Sequence, residues 1–303
     1  MSLHSVWPST GADGTPAISA RFPDSARAMT RGRMRRRRGD SARPPTSQTL
    51  WWQTAQHRPA QATYPEPVTN RLTRLLAGRP AIVDGGYGWL LQERGLNAGE
   101  AAESWNLAEP ERIAGLHEEY ALAGATILTT NTFGAIEPRL AMHGMSGQTY
   151  AASLAGARLA REVADRHGVL VAGDVGPTGE LLEPLGVLSE SAAMALFAEQ
   201  VRGLRDGGAD LILIETMSDL TETSAAIRAA REQAPDLPII ATLSFDTNLR
   251  TMMGVSPTQA VGALADLGVD AVGANCGRGP EDMRTIALYR TEMPEEEFGT
   301  AVQ

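Results

Sequence analysis

Apolar runs typical of buried strands alternate with segments of helical periodicity along most of this sequence. The runs are rich in Val, Ile and Leu, and the segments between them include the helical stretches 109–124 and 191–208. Continuous apolar runs of this length are typical of parallel strands that are buried on both faces. The alternation therefore predicts an α/β fold with a parallel sheet. The six runs lie at 80–86, 125–134, 168–177, 209–217, 237–246 and 269–277.

The residues at the strand ends favour a (β/α)8 TIM barrel over a doubly wound sheet. At least five runs end in a polar or ionisable residue, and barrel enzymes build their sites at the C-terminal ends of the strands. A nucleotide-binding sheet would instead carry a G-x-G-x-x-G turn after its first strand. The stretch 83–89 lacks that spacing. The polar end residues are Asp84, Asn131, Asp174, Glu215 and Cys276.

Six strand–helix units are visible, whereas a closed barrel of this type has eight strands. The segment 291–303 is polar and acidic and shows no strand pattern. We therefore expect an incomplete, C-terminally truncated barrel over 68–290, followed by an acidic tail. An open arc of strands leaves two unpaired edges. We expect the chain to be marginally stable or to pair with a second copy as a homo-oligomer.

The N-terminal region differs in composition from the rest of the chain. Residues 1–65 contain ten Arg and three acidic residues, whereas the remainder contains 17 Arg and 33 acidic residues. Without apolar periodicity, residues 1–67 are predicted to be a disordered, Arg-rich extension. The run 31–40 is either a solvated tail or a nucleic-acid-binding arm, and an Arg-rich leader also resembles a transit peptide. The stretch 49–54 is a weak candidate for a stray strand or docked segment.

The composition excludes several classes of function. All 27 basic residues are Arg, which excludes a Schiff-base lysine and a lysine-bearing P-loop. The acidic barrel region shows no basic groove, so we do not expect nucleic acid as its partner. No apolar run approaches the roughly 18 residues of a membrane span, and no secretory signal is visible. A single cysteine suits a reducing compartment, and we predict a cytoplasmic protein.

Several residues have more than one interpretation from the sequence alone. The lone cysteine, Cys276, is a buried apolar side chain, a nucleophile or a metal ligand. Asp84 either binds a ligand or caps the helix that follows it. Glu215 either binds a ligand or forms an ion pair with an arginine. Asp174 either has a direct role in the site or only fixes the geometry of its loop. The stretch 117–121 is not an H-E-x-x-H zinc motif, because Ala121 stands at the position of the second histidine.

Six stretches in collinear order resemble the homocysteine S-methyltransferase family. That family includes betaine–homocysteine methyltransferase and the homocysteine-binding module of cobalamin-dependent methionine synthase. The resemblance implies a (β/α)8 barrel whose rim carries a thiolate-bound zinc that binds the sulfur of homocysteine. The stretches are VDGGYGWLLQERGL, TILTTNTFGA, GDVGPTGELLEPLG, ADLILIETMSDL, ATLSFDTNLRTMMGVSP and GANCG.

The resemblance also implies a mechanism and a set of site residues. Zinc would remove the proton of the homocysteine thiol, whose ordinary pKa is about 8.5. The thiolate would attack the methyl group of a donor and form methionine, with no catalytic residue beyond the metal-activated substrate thiol. In this reading Cys276 binds zinc, and the residues that meet homocysteine are Asp84, Gly85, Gly86, Glu215, Thr129 and Asn131.

This sequence differs from the family in the number of cysteines that could bind zinc. The family supplies two further cysteines as an adjacent pair in a late glycine-rich turn, and Cys276 is the only cysteine here. One of three cysteine ligands is therefore present. One alternative is a catalytically inactive barrel that retains an amino-acid pocket but has no complete zinc site. A third hypothesis is a metal-free barrel enzyme such as a lyase. The methyl donor stays open among betaine, S-methylmethionine, S-adenosylmethionine and a methylcobalamin module.

Overall fold

The structure, a computed structural model, describes five parts of the chain. The chain divides into two units, Val6–Pro67 and a second that comprises Met1–Ser5 and Val68–Gln303. In the first unit, Ser9–Thr10 pairs antiparallel with Pro16–Ala17. The predictions for 31–40, 49–54 and 291–303 lie outside the described residues. The described residues are 9–10, 16–17, 71–76, 81–246 and 248–288.

Five parallel strands form a single sheet in the second unit. Each strand pairs in parallel with the next one along the chain, so that their spatial order is their sequence order. A doubly wound sheet would reverse its strand order at a switch point. The described strands therefore confirm the predicted α/β fold of the TIM-barrel type. They are β1 (Ile127–Thr129), β2 (Leu170–Val175), β3 (Leu211–Met217), β4 (Ile239–Leu243) and β5 (Ala271–Ala274).

The first apolar run, 80–86, was predicted as a full strand and forms only a single bridge. Val83 pairs in parallel with Ile127, and the backbone N–H of Asp84 donates to the carbonyl of Ile127 at 3.3 Å. The run is cut short because Gly86 turns the chain with φ of 73° immediately before a helix begins. The bridge nevertheless places Asp84 at the same end of the sheet as the other strand ends.

Helices connect the strands, and two of the helices begin at serine caps. The hydroxyl of Ser189 accepts a hydrogen bond from the N–H of Ala192, and Ser256 forms a capping box with Gln259. The helices are α1 (Arg71–Leu76), α2 (Tyr87–Glu93), α3 (Trp105–Ala108), α4 (Pro110–Leu122), α5 (Glu137–Ala141), α6 (Thr149–His167), α7 (Glu190–Asp206), α8 (Leu220–Gln233), α9 (Pro257–Asp266) and α10 (Pro280–Leu288). The predicted helices at 109–124 and 191–208 correspond to α4 and α7. No helix in these described ranges is both long and apolar enough to cross a membrane.

The two faces of the sheet belong to separate apolar clusters. Because side chains alternate along a strand, Val171 and Ile212 point to the face that the helices cover. Ala172 and Leu213 belong to the cluster on the opposite face, together with Leu72 of α1. Burial on both faces explains why the strands read as continuous apolar runs. Polar side chains consequently collect where the strands end.

Candidate functional site

A cavity of about 870 Å³ lies at the C-terminal ends of the strands. Every residue that the sequence predicted for the site lines this cavity, although those residues are spread over almost 200 positions of the chain. The parallel sheet brings them together because all its strands end on the same side. The predicted residues on the cavity wall are Asp84, Gly85, Gly86, Thr129, Asn131, Glu215 and Cys276.

Asp84 is the most extensively hydrogen-bonded carboxylate in the cavity. Its Oδ1 accepts hydrogen bonds from the backbone N–H and the hydroxyl of Thr129, at 2.8 and 2.6 Å. Its Oδ2 accepts from the hydroxyl of Tyr87 at 2.7 Å. Burial raises the pKa of Asp84 to about 7, although these three donors oppose the shift. Asp84 does not cap α2, since Gly86 is the N-cap and no side chain caps the helix there.

Two residues of α4 hold the loop that carries Asp84. The ring nitrogen Nδ1 of His117 lies 2.8 Å from the hydroxyl of Tyr87. One turn further along α4, the hydroxyl of Tyr120 donates to the carbonyl of Gly85, and its ring stacks on Tyr87 with centroids 5.9 Å apart. Residues three apart lie on one face of a helix. A single face of α4 therefore fixes the loop from Asp84 to Gly86.

Glu215 lies in an irregular part of β3. The register between β3 and β4 shifts between Ile214 and Met217, and Thr216 has a φ of 60°, in the left-handed region. Such bulges redirect side chains at the ends of strands. Burial raises the pKa of Glu215 to about 7, and the negative charge of Asp84 adds to the shift. Within the described residues, the hydrogen-bond partner of Glu215 is an amide group rather than an arginine.

That amide belongs to Asn275, which the sequence analysis did not single out. Its Nδ2 donates to Oε2 of Glu215 at 3.1 Å and to the hydroxyl of Thr216 at 2.7 Å. Its Oδ1 accepts from the backbone N–H of Thr216 at 3.1 Å and from the hydroxyl of Thr242 at 2.8 Å. The amide thus ties the ends of β3, β4 and β5 together. Its position before Cys276 in GANCG was the available signal.

Thr129 and Asn131 both lie on the cavity wall, but their polar groups have protein partners. The hydroxyl of Thr129 donates its hydrogen bond to Oδ1 of Asp84. The amide of Asn131 donates to Oδ1 of Asn106 at 2.9 Å and to the carbonyl of Ala102 at 2.8 Å. Asn106 in turn donates to the carbonyl of Asn131 at 2.7 Å. These bonds anchor the loop after β1 to α3 and to the segment before it.

Asp174 and Glu103 add two further buried carboxylates to the cavity. Burial raises the pKa of Asp174 well above its ordinary value, and the charge of Glu215 contributes to the shift. Oδ1 of Asp174 is buried and has no hydrogen-bond partner among the described residues. The backbone carbonyl of Asp174 accepts from the hydroxyl of Thr132 at 2.7 Å. Glu103 accepts from the N–H of Gly134 at 2.5 Å.

Cys276 follows β5 at the exposed side of the cavity. Its φ of 54° is unusual for a residue other than glycine. Its Sγ lies 3.7 Å from the hydroxyl of Thr216 and 3.5 Å from Nδ2 of Asn275. Cys276 is exposed rather than buried. The apolar-core interpretation of this cysteine is therefore wrong.

The zinc expected from the resemblance does not fit the described residues. A catalytic zinc site normally takes three protein ligands. In residues 81–246 and 248–288, no three His, Cys, Asp or Glu side chains are grouped so that they could hold a metal ion. Cys276 is the only cysteine of the sequence. The described part of the cavity therefore offers one thiol and several carboxylates, not a complete zinc site.

Comparison with known proteins assigns the family. The sequence profile described as Homocysteine S-methyltransferase matches residues 81–295, well over half of the chain. The chain belongs to the homocysteine S-methyltransferase family. The match covers every residue discussed for the cavity. The resemblance inferred from the six sequence stretches is confirmed.

Relatives within the family differ in length. Methionine synthase from Mycobacterium leprae (strain TN) is 32% identical over 229 residues, which are 70% of this chain and 19% of that protein. This chain thus spans about a fifth of the methionine synthases it matches. Betaine–homocysteine S-methyltransferase 1 from Sus scrofa is 31% identical over 232 residues, covering 74% of this chain and 79% of that protein.

A solved structure extends the likeness to three dimensions. The metallated form of the homocysteine methyltransferase MmuM from Escherichia coli superimposes with a TM-score of 0.62 and 28% sequence identity. The match covers 73% of this chain and 83% of that chain. This agreement supports the barrel-type reading of the five-stranded sheet.

Proposed function

We propose that the cavity binds homocysteine and that the protein transfers a methyl group to its sulfur, which forms methionine. The observation that carries the proposal is that Asp84 and Glu215 lie on one cavity wall with Cys276. Family membership supports the same reaction at the level of the family. The cavity volume of about 870 Å³ leaves room for an amino acid and a second small substrate.

The amino-acid end of homocysteine is assigned to the acidic side of the cavity. Its ammonium group is a cation with three donors, and Asp84 and Glu215 are the carboxylates placed to accept from it. A cation between them would also relieve the repulsion that helps to raise the pKa of Glu215. The carboxylate of homocysteine would then meet the backbone N–H groups of Gly85 and Gly86.

The sulfur end is assigned to the region of Cys276 and Thr216. The reacting species is the thiolate, because it is the nucleophilic form of a thiol. The sulfur–methyl bond forms as the bond between the methyl carbon and its donor breaks, and the electron pair leaves with the donor. The thiol transfers its proton to water before this step.

The lone thiol at the rim favours a second candidate function. A barrel that retains Asp84 and Glu215 but lacks a complete ligand set would bind homocysteine without methylating it. The observation behind this alternative is that Cys276 is the only cysteine in the given sequence. The two candidates share the binding step and differ only in turnover.

Calorimetric titration with homocysteine tests the shared binding step. We expect the wild type to bind, and Glu215→Gln to bind at least about 10-fold more weakly, because a hydrogen-bonded charge pair is lost. Glu232→Gln is the matched control, since Glu232 is exposed on α8. Absence of binding by the wild type would reject both candidates.

Methionine formation separates the two candidates. The wild type is incubated with homocysteine and each of the four donors, with and without added zinc, and the product is quantified by mass spectrometry. Bound zinc per chain is measured on the same sample. Turnover in any of these conditions supports the methyltransferase, and homocysteine binding without turnover supports the inactive barrel.

A further inference from the structure

Three residues from two distant segments form a continuous hydrogen-bond chain behind the cavity. The hydroxyl of Tyr87 lies 2.7 Å from Oδ2 of Asp84 and 2.8 Å from Nδ1 of His117. His117 is fully buried in α4, and its ring lies 5.6 Å from that of Tyr87, measured between centroids. Burial lowers the pKa of His117 to about 3, so the imidazole is neutral.

The hydrogen-bond directions in this chain follow from the number of protons available. A tyrosine hydroxyl has one proton, and that of Tyr87 is donated to Asp84. The neutral imidazole of His117 must then carry its proton on Nδ1 and donate it to the oxygen of Tyr87. This tautomer leaves Nε2 as a bare acceptor, and Nε2 indeed has no partner among the described residues.

The opposite direction is unfavourable. If Asp84 were protonated and donated to Tyr87, the tyrosine would donate to Nδ1 of His117. The proton of the imidazole would then sit on Nε2, as a buried N–H group without an acceptor. Orphaned buried N–H groups are rare in folded proteins because they lose their bonds to water. The surroundings of His117 therefore favour the arrangement in which Asp84 accepts.

We propose that His117 and Tyr87 are positioning residues, which orient the carboxylate of Asp84 and keep it in its acceptor form for the ammonium group of the substrate. The role of His117 and Tyr87 in substrate binding rests on the proposed function. Their effect on the orientation and protonation of Asp84 does not. Three donors then face the carboxylate: one from Tyr87 and two from Thr129. They offset part of the cost of burying a charge.

The other ionisable groups that the structure describes near Asp84 donate no hydrogen bond to its carboxylate. Glu215 on β3 and Asp174 on β2 are both acidic, and the charge of Asp84 helps to raise the pKa of each. Tyr120 on α4 also feels that charge, but its hydroxyl is donated to the carbonyl of Gly85. Tyr87 is thus the ionisable side chain that donates to Asp84 among the described residues.

The test measures Asp84 directly, without any substrate. Aspartate is labelled with ¹³C at the carboxyl carbon, and the Asp84 signal is assigned by its absence in Asp84→Asn. We expect Tyr87→Phe to raise the pKa of Asp84 by about one unit, because it removes one of three donors to the ionised form. Tyr150→Phe is the matched control, since it removes an exposed hydroxyl that bonds Asp206 instead.

His117 is tested through two replacements. His117→Asn keeps an N–H donor near the position of Nδ1, and we expect it to preserve the pKa of Asp84. His117→Leu removes the donor, and we expect it to raise that pKa in the wild type but not in the Tyr87→Phe background. This non-additivity distinguishes a residue that acts through Tyr87 from one that merely supports the fold.

The same variants are then titrated with homocysteine. We expect Tyr87→Phe to weaken binding several-fold at pH 7 and much less at pH 9, where Asp84 is ionised in both proteins. An unchanged pKa of Asp84 in folded Tyr87→Phe would overturn the proposal. If the pKa shifts but the wild type binds no homocysteine, the hydrogen-bond chain stands and the proposed function fails.

Discussion

The side chain of Asn275 holds that of Glu215 across the gap between β5 and β3. Nδ2 of Asn275 donates to Oε2 of Glu215 at 3.1 Å, while the same amide also binds both the N–H and the hydroxyl of Thr216. Thr216 adopts a left-handed backbone conformation, which costs on the order of 1–3 kcal/mol for a residue other than glycine. The amide of Asn275 therefore helps to maintain a strained strand end that aims Glu215 into the cavity.

Removal of that amide should destabilise the protein. We expect Asn275→Ala to lower the free energy of unfolding by about 1–3 kcal/mol, because it leaves partly buried polar groups at Thr216 and Thr242 without their partner. Urea unfolding measures the change. Asn97→Ala, which removes an exposed amide, should change the free energy by less than about 0.5 kcal/mol. Equal effects of the two substitutions would contradict the role given to Asn275.

The raised pKa of Asp84 predicts how stability depends on pH. Since burial raises this pKa to about 7 from 3.8, the folded protein retains a proton that the unfolded chain releases. The contribution is fully present below about pH 4 and is lost as the pH rises to about 7, by at most about 4 kcal/mol. Glu215 acts in the same direction, because its pKa is also raised to about 7.

Unfolding of the wild type and of Asp84→Asn is compared between pH 4 and 8 to check this prediction. We expect the stability of the wild type relative to the variant to fall across that window. Asp236→Asn, which changes an exposed aspartate, should show no such trend relative to the wild type. A flat difference for Asp84→Asn would show that Asp84 is ionised in the folded protein well below pH 7.

Glu222 on α8 should stabilise the loop that follows β2. Its Oε1 accepts from the backbone N–H and the hydroxyl of Thr178, at 2.8 and 2.5 Å, and the carboxyl group is buried. We expect Glu222→Ala to lower the free energy of unfolding by about 1–3 kcal/mol and to speed hydrogen exchange at the amide of Thr178. Glu232→Ala, on the exposed face of the same helix, should leave that amide protected.

Two helical glycines should respond to alanine in opposite directions. A Cβ at Gly203 of α7 would lie 2.8 Å from both the Cβ of Ser153 and the carbonyl oxygen of Tyr150. We expect Gly203→Ala to destabilise the protein by about 1–3 kcal/mol, because α6 and α7 cannot pack as closely. A Cβ at Gly115 of α4 meets no heavy atom within 4 Å. Gly115→Ala should therefore stabilise by about 0.5–1 kcal/mol, as thermal unfolding can show.

The fold was largely predictable because its signals are local. β2, β3 and β4 coincide with continuous apolar runs, and α4 and α7 coincide with the predicted helical stretches 109–124 and 191–208. The first run does not form a full strand for an equally local reason, since Gly86, two residues after Asp84, turns the chain. Periodicity overestimated its length because the apolar stretch is only three residues long before the aspartate.

The position of the predicted residues on one cavity wall follows from the sequence, whereas their contacts do not. Family resemblance named Asp84, Glu215 and Cys276, and the sheet places all three on one cavity. It did not reveal that Asn275 holds Glu215, nor that His117 reaches Asp84 through Tyr87. Those partners lie 30 to 60 positions apart in the chain, and no sequence spacing encodes such a contact.

The sequence by itself determined the α/β alternation, the single thiol and the family to which the chain belongs. Only the tertiary structure decided which carboxylates are buried together, and hence that the pKa values of Asp84 and Glu215 both rise to about 7. The physical reason is that secondary structure depends on neighbouring residues, whereas desolvation and charge repulsion depend on distances in space. Desolvation and charge repulsion, which depend on the tertiary structure, therefore set the protonation of the carboxylates in this cavity.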